Sequence, residues 1–184
     1  MLGRFNFENQ IYFITTKTFQ GRDIFNHNSN CRIFIDTLKD YRKLFKLYGF
    51  VIIPNHVHLL IEPINIDISK LMNYIKGKSS RLINIARVAE PLGSAATERE
   101  RSTTRPSRKR IHAEILRPGI PVWQKSFHDH VIRKEEDFLE KINYIHKNPL
   151  KHGVAENLDE YIWSSYRNYY LNSNSLIEIN KIEI

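Results

Sequence analysis

Hydrophobic and polar positions along the chain switch between a period near two and a period near 3.6, and the switches delimit its elements. Residues 11–18, IYFITTKT, are β-branched and aromatic and stop before the turn-like QGRDIFNHNSN, which predicts a first strand. Between Ser29 and Tyr48 the apolar residues Phe34, Leu38, Tyr41, Phe45 and Tyr48 recur at helical spacing, with Gly49 where a helix-ending glycine would stand. A helix reaching Tyr48 is therefore expected. GFVIIPNHVHLLIEP then holds two short apolar runs broken by Pro54-Asn55. Proline cannot donate within a central ladder and asparagine tolerates turn geometry, so a tight β-hairpin follows.

Helical spacing returns over 67–87, where Ile68, Leu71, Met72, Ile75, Leu82, Ile83 and Ala86 share one face and Lys70, Tyr74 and Arg81 the other. The period is then lost, and residues from about 88 to 118 read as a flexible basic insertion. VWQKSFHDHVI (122–132) is strand-like. RKEEDFLEKINYIHKN is a helix that Pro149 should end, and NLDEYIWSSYRNYY is an aromatic tail that should pack back on the core. The order strand, helix, strand, strand, helix, strand, helix predicts an α+β, ferredoxin-like antiparallel sheet with helices plus a C-terminal helix. Residues 1–171 form one domain in this reading and 172–184 a tail.

Charge narrows the partners. The 184 residues carry 28 Lys and Arg against 20 Asp and Glu, a net of +8, which favours a polyanion: nucleic acid first, an acidic membrane second. Residues 87–110 contribute seven basic residues and three Glu, half of that net charge, so the folded surface is less basic than the total suggests. Cys31 is the sole cysteine, which excludes an internal disulfide and a multi-cysteine zinc cluster. MLGRFNFENQ lacks the apolar core of a signal peptide, and no apolar run approaches the roughly 20 residues that span a bilayer. A cytoplasmic protein without a membrane partner is expected.

Candidate chemistry starts with His56 and His58. One residue apart in a strand, both imidazoles point to the same side of the sheet and can share one metal, while Val57, Leu59 and Ile61 point toward the helices. An ordinary pair of polar-face histidines has the same pattern, so a second element has to decide. On the helix before Pro149, Phe138, Leu139, Ile142 and Ile145 form the apolar stripe, and Tyr144 and Asn148, with Lys141, fall on roughly the opposite side. A hydroxyl and an amide shown together suit a nucleophile and a further ligand; an exposed tyrosine packed on a neighbour would show the same spacing. His146, nearer the stripe, is read as structural, and His128, His130 and His152 stay open.

Together, IYFITTKTF, YGFVIIPNHVHLLIEP, VWQKSFHDHVIR and YIHKNPLKHGV followed by WSSYRNY resemble the successive blocks of the single-tyrosine HUH transposases, in particular those associated with REP elements. The resemblance implies a ferredoxin-like fold whose C-terminal helix carries the catalytic tyrosine. It also implies binding of hairpin-forming single-stranded DNA, and its cleavage and rejoining through a 5′-phosphotyrosine with a divalent metal, Mg²⁺ or Mn²⁺. Carried over by position, Tyr144 is the nucleophile and His56, His58 and Asn148 the metal ligands. Lys70, Arg81, Lys147 and Lys151 are expected to contact DNA. Lys151-His152 departs from the Arg and small residue that relatives often carry. Monomer and homodimer both stay open, and the alternative to a transposase is a domesticated, non-catalytic DNA- or RNA-binding protein on the same fold.

Overall fold

A computed structural model describes residues 10–89, 121–171 and 176–181. The expected insertion falls almost wholly on residues 90–120, outside the described residues, as does most of the tail.

Within the described residues the order is β1 (Tyr12–Lys17), α1 (Asn28–Asp40), β2 (Phe45–Ile53), β3 (His56–Pro63), α2 (Ile68–Ala89), β4 (His128–Val131), α3 (Glu135–Lys151) and α4 (Tyr166–Tyr170). The four strands form one sheet in the order β2-β3-β1-β4, and β1·β3, β1·β4 and β2·β3 are all antiparallel. Each helical crossover thus returns to a strand parallel to the one it left, with an antiparallel strand between them. This is the ferredoxin-like arrangement that the element order predicts.

Both faces of the sheet are covered. Val57, Leu59 and Ile61 of β3 join Phe34 and Leu38 of α1 and Leu71, Met72 and Ile75 of α2 in the larger core. On the reverse, Leu60 of β3 and Val51 and Ile53 of β2 pack against Phe138, Ile142 and Ile145 of α3. Burial on both sides explains why β2 and β3 read as nearly unbroken apolar runs.

That continuity also explains where the helix expected over 29–48 departs from the structure. α1 stops at Asp40, and Phe45, Tyr48 and Gly49 belong to β2. The helical spacing of Phe45 and Tyr48 is a coincidence inside a run whose partners lie across the sheet, in a register that slips between Leu47 and Gly49. Gly49 does not end a helix. A Cβ there would stand 2.8 Å from Ile142 Cδ1, so the missing side chain lets α3 lie close on the sheet.

Three smaller departures have similar causes. α2 runs on to Ala89, so residues 88 and 89, expected to open the insertion, belong to the helix. The strand expected over 122–132 is confined to His128–Val131, with Trp123 paired to Thr18 only through an isolated bridge. Pro149 does not end α3, which continues to Lys151. A proline in the last turn removes one N–H, and the helix closes instead through His152 N–H to Asn148 O (3.1 Å) and Gly153 at φ 62°.

The aromatic tail packs back as expected. Ile52 N–H donates to Trp163 O and Ser165 N–H to Phe50 O, both at 2.9 Å, so this segment covers the outer edge of β2. Tyr161 Oη donates to Ile52 O at 2.6 Å, and Trp163 enters the larger core.

Candidate active site

The site lies on the α3 face of the sheet. Alternation along β3 sends His56 and His58 there, and the pairing of β1 with β3 sets Lys17 beside His56, Thr15 beside His58 and Phe13 beside Leu60. Both imidazoles are nearly buried, at 8% and 3% exposure, with ring centres 4.7 Å apart.

Their partners orient them. The Asn55 side-chain oxygen can only accept, so His56 Nδ1–H donates to it (2.8 Å), leaving Nε2 with its lone pair. His58 Nδ1 lies 2.9 Å from Thr15 Oγ1, and its Nε2 is buried without a hydrogen-bond partner. Burial, then the charges of His152 and Lys17, lower the His56 pKa to about 4, with the Asn148 amide acting the other way. Burial, followed by His56 and His152, lowers His58 to about 3. Two neutral imidazoles near pH 7 suit metal ligation.

α3 completes the site. The Tyr144 ring stands edge-on to His58 at 5.3 Å and to Phe13 at 5.8 Å, and Phe13 stacks on His58 at 5.2 Å. Lys151 Nζ lies 5.1 Å from the centre of the Tyr144 ring. Asn148 is fully buried, and neither its Oδ1 nor its Nδ2 has a hydrogen-bond partner. The expected face of α3 needs two corrections. Leu139 is 41% exposed and lies outside the buried stripe, whereas Asn148 is inside the protein. Tyr144 and Asn148 flank the stripe of Phe138, Ile142 and Ile145, and α3 crosses the sheet so that this flank meets the histidines.

The orphaned atoms test whether a divalent cation suits the site. Two imidazole Nε2 atoms and the Asn148 Oδ1 are a borderline donor set that leaves room for phosphate oxygen and water. Among the described residues no group of three His, Cys, Asp or Glu could hold a metal, and the Asn148 amide oxygen is the further oxygen donor at this place. These residues fit such an ion.

The expected DNA contacts divide. Lys151 touches the site through Tyr144. Lys147 is exposed, and Lys70 and Arg81 are exposed on α2, the helix that packs on the other face of the sheet. There Tyr41 stacks on Tyr74 at 5.9 Å, with Lys70 Nζ 6.0 Å from Tyr74 and Lys78 Nζ 5.4 Å from Tyr41. His146 is structural as read: 2% exposed, its Nε2 3.0 Å from Ser165 Oγ and its ring among Tyr166, Tyr169 and Tyr170.

Two further residues join the site without a sequence signal strong enough to select them. His152, at the end of α3, lies 5.0 Å from His56 between ring centres, and eight-residue helical spacing from Tyr144 was its only clue. Phe13 becomes visible once β1 is set in register with β3.

Residues 12–90 match the family model described as "Transposase IS200 like". A provisionally described REP-associated tyrosine transposase of Haemophilus influenzae is 29% identical over 124 residues, covering 66% of this chain and 59% of its own. Another H. influenzae protein, without an assigned function, is 27% identical over 168 residues, covering 81% and 86%. A solved REP-associated tyrosine transposase bound to a REP hairpin superposes with a TM-score of 0.64 at 18% identity, covering 100% of this chain and 94% of that one. This last likeness concerns the fold.

Proposed function

Starting from a chain that resembles the IS200-like transposases and, among them, the REP-associated tyrosine transposases, we propose that it binds hairpin-forming single-stranded DNA and breaks and rejoins it through Tyr144. The observation that carries this reading is the meeting of two distant segments: Tyr144 and Asn148 of α3 lie against His58 and His56 of β3, and polar atoms of His58 and Asn148 are left without partners.

The chemistry follows from what these groups can do. The Tyr144 oxygen attacks the scissile phosphorus. An O–P bond forms to the tyrosine, the bond to the 3′ oxygen breaks, the phenolic proton passes to solvent, and the released 3′ oxygen takes up a proton. A divalent cation on His56, His58 and Asn148, Mg²⁺ or Mn²⁺, would neutralise charge on the phosphate oxygens. His56 and His58, neutral and held by Asn55 and Thr15, keep fixed lone pairs there without reorganisation. Phe13 and Lys151 hold the Tyr144 ring between them, and the Lys151 ammonium adds positive charge where the phosphate must lie. The phosphotyrosine retains the reactivity of the diester, so a second 3′ hydroxyl can displace it and join a new strand. Lys70 and Arg81, on the helix of the other face, would contact DNA away from the cleaved phosphate, and Lys147, exposed on α3, would contact it as well.

Incubation with a hairpin-bearing single-stranded oligonucleotide and Mn²⁺ or Mg²⁺, followed by denaturing electrophoresis, tests the reading. The parent should form a covalent adduct and Tyr144→Phe none. Tight binding with no adduct under either metal would favour the non-catalytic alternative.

A further inference from the structure

Lys17 is an exposed lysine at the candidate site that the chemistry above leaves unused. Alternation along β1 sends Phe13, Thr15 and Lys17 to one side of the sheet. The first two identify that side: Phe13 stacks on the His58 ring at 5.2 Å, and Thr15 Oγ1 lies 2.9 Å from His58 Nδ1. Lys17 comes next, directly opposite His56 in the β1–β3 ladder. Residues paired in this way hold their Cβ atoms about 4.5–5.5 Å apart, so the lysine stem starts beside the His56 side chain.

Its backbone is fixed there. Gln124 N–H donates to Lys17 O at 3.0 Å, and the next residue is tied to the hairpin turn before His56, with Thr18 N–H and Thr18 Oγ1 each donating to Asn55 O at 2.9 Å. The side chain is left available: among the described residues no ion pair or hydrogen bond takes up its ammonium. The site therefore has a lysine at each end. Lys151 Nζ stands 5.1 Å from the centre of the Tyr144 ring, which meets His58 at 5.3 Å, and Lys17 stands beside His56. In an in-line displacement the attacking and departing oxygens lie on opposite sides of the phosphorus. With Tyr144 attacking from the His58 side, the 3′ oxygen departs toward His56 and Lys17.

We propose that Lys17 binds the backbone phosphate immediately 5′ of the cleaved one and so retains the strand that ends in the new 3′ hydroxyl. This assignment rests on the function proposed above. After cleavage Tyr144 holds the other strand covalently, whereas the 3′-hydroxyl strand has no bond to the protein and needs such a contact to stay for rejoining. A lysine suits the task, because a point charge on a flexible stem follows a phosphate without demanding one orientation.

The test uses the full chain and a hairpin-bearing single-stranded oligonucleotide labelled at its 5′ end. With Mn²⁺ present, the length of the labelled fragment on a denaturing gel maps the cleaved bond. With Mn²⁺ omitted, fluorescence anisotropy across a NaCl series reads binding. Lys17→Gln should bind about fivefold more weakly, with a salt slope shallower by about 0.7 for the one phosphate lost, and Lys17→Arg should keep most of the affinity. An uncharged methylphosphonate at the phosphate 5′ of the cleaved one should weaken the parent by the same factor and Lys17→Gln no further. Adducts of Lys17→Gln should also release the labelled 3′-hydroxyl fragment about fivefold faster than parent adducts. Lys17 is exposed, so an unchanged melting temperature checks that the variant is folded. Unchanged affinity and release in Lys17→Gln, additive losses from the variant and the methylphosphonate, or coupling to the phosphate on the 3′ side instead would each overturn the contact while leaving the Tyr144 adduct in place. A parent that forms no adduct overturns the function proposed above, and this contact with it.

Discussion

The two faces of β3 were built from alternate residues of one strand, yet they do opposite work. Val57, Leu59 and Ile61 enter a core of α1 and α2 side chains and are fully buried. His56 and His58, on the reverse, meet Asn148 and Tyr144, and three of the polar atoms there lack partners within the protein. The first face stabilises the fold through apolar burial. The second gives up stability by enclosing polar groups that no protein group among the described residues satisfies, an arrangement that suits a ligand or a bound water better than a close-packed core.

Substitutions on each face should separate these roles. Leu59→Ala, on the apolar face, should cost about 2–5 kcal/mol of unfolding free energy by urea denaturation and leave the metal affinity of the remaining folded protein near that of the parent. A loss below about 1 kcal/mol would mean that this face is less well packed than its burial implies.

Acid should act on the α3 face. His146 is held neutral there by burial, its pKa lowered to about 4. The unfolded chain takes up a proton near pH 6.5, so between about 6.5 and 4 the unfolded state binds more protons than the native one. The contribution of a neutral buried His146 is therefore complete above about pH 6.5 and is lost as pH falls toward 4, by up to about 3 kcal/mol. Urea unfolding from pH 7.5 to 4.5 should show this decline together with those of the buried His56 and His58, and His146→Gln should make it shallower by its own share. Identical curves for the two proteins would exclude His146 as a source.

Gly49→Ala tests how closely α3 sits on the sheet. The new methyl would meet Ile142 Cδ1, and the expected loss is about 1–3 kcal/mol, readable as a lower melting temperature. The smallest stability change is expected at Asn148. Replacing its orphaned amide with Leu should alter unfolding free energy by about 1 kcal/mol or less, in either direction, while weakening Mn²⁺ binding at least tenfold by calorimetric titration. Unchanged Mn²⁺ affinity would remove Asn148 from the ligand set.

Much of this contrast was legible in the residues. His-x-His inside an apolar strand sets both rings on one face, and Tyr144 with Asn148 four residues later sets both on one flank of a helix, because side-chain direction follows backbone period. Pro54-Asn55 marked the hairpin turn. Other features were not legible. Phe45, Tyr48 and Gly49 mimic a helical period, and a short apolar run buried on both sides has no period of its own to contradict it. Asn148 looked exposed because helical spacing reports angles around one helix and not what covers each angle. His152 and Phe13 depend on how a helix end and a strand register fall, and neither has a local sequence mark.

The sequence alone therefore determined the order of elements and the antiparallel α+β class, since these depend on local period and turn chemistry, whereas local period left the histidine pair and the tyrosine helix as candidates whose roles came from the family resemblance. Tertiary structure decided which angle of α3 meets the histidines and which of the basic residues stand near them. Those outcomes depend on contacts between segments far apart in the chain, where packing shape selects the neighbours and no local pattern records the choice.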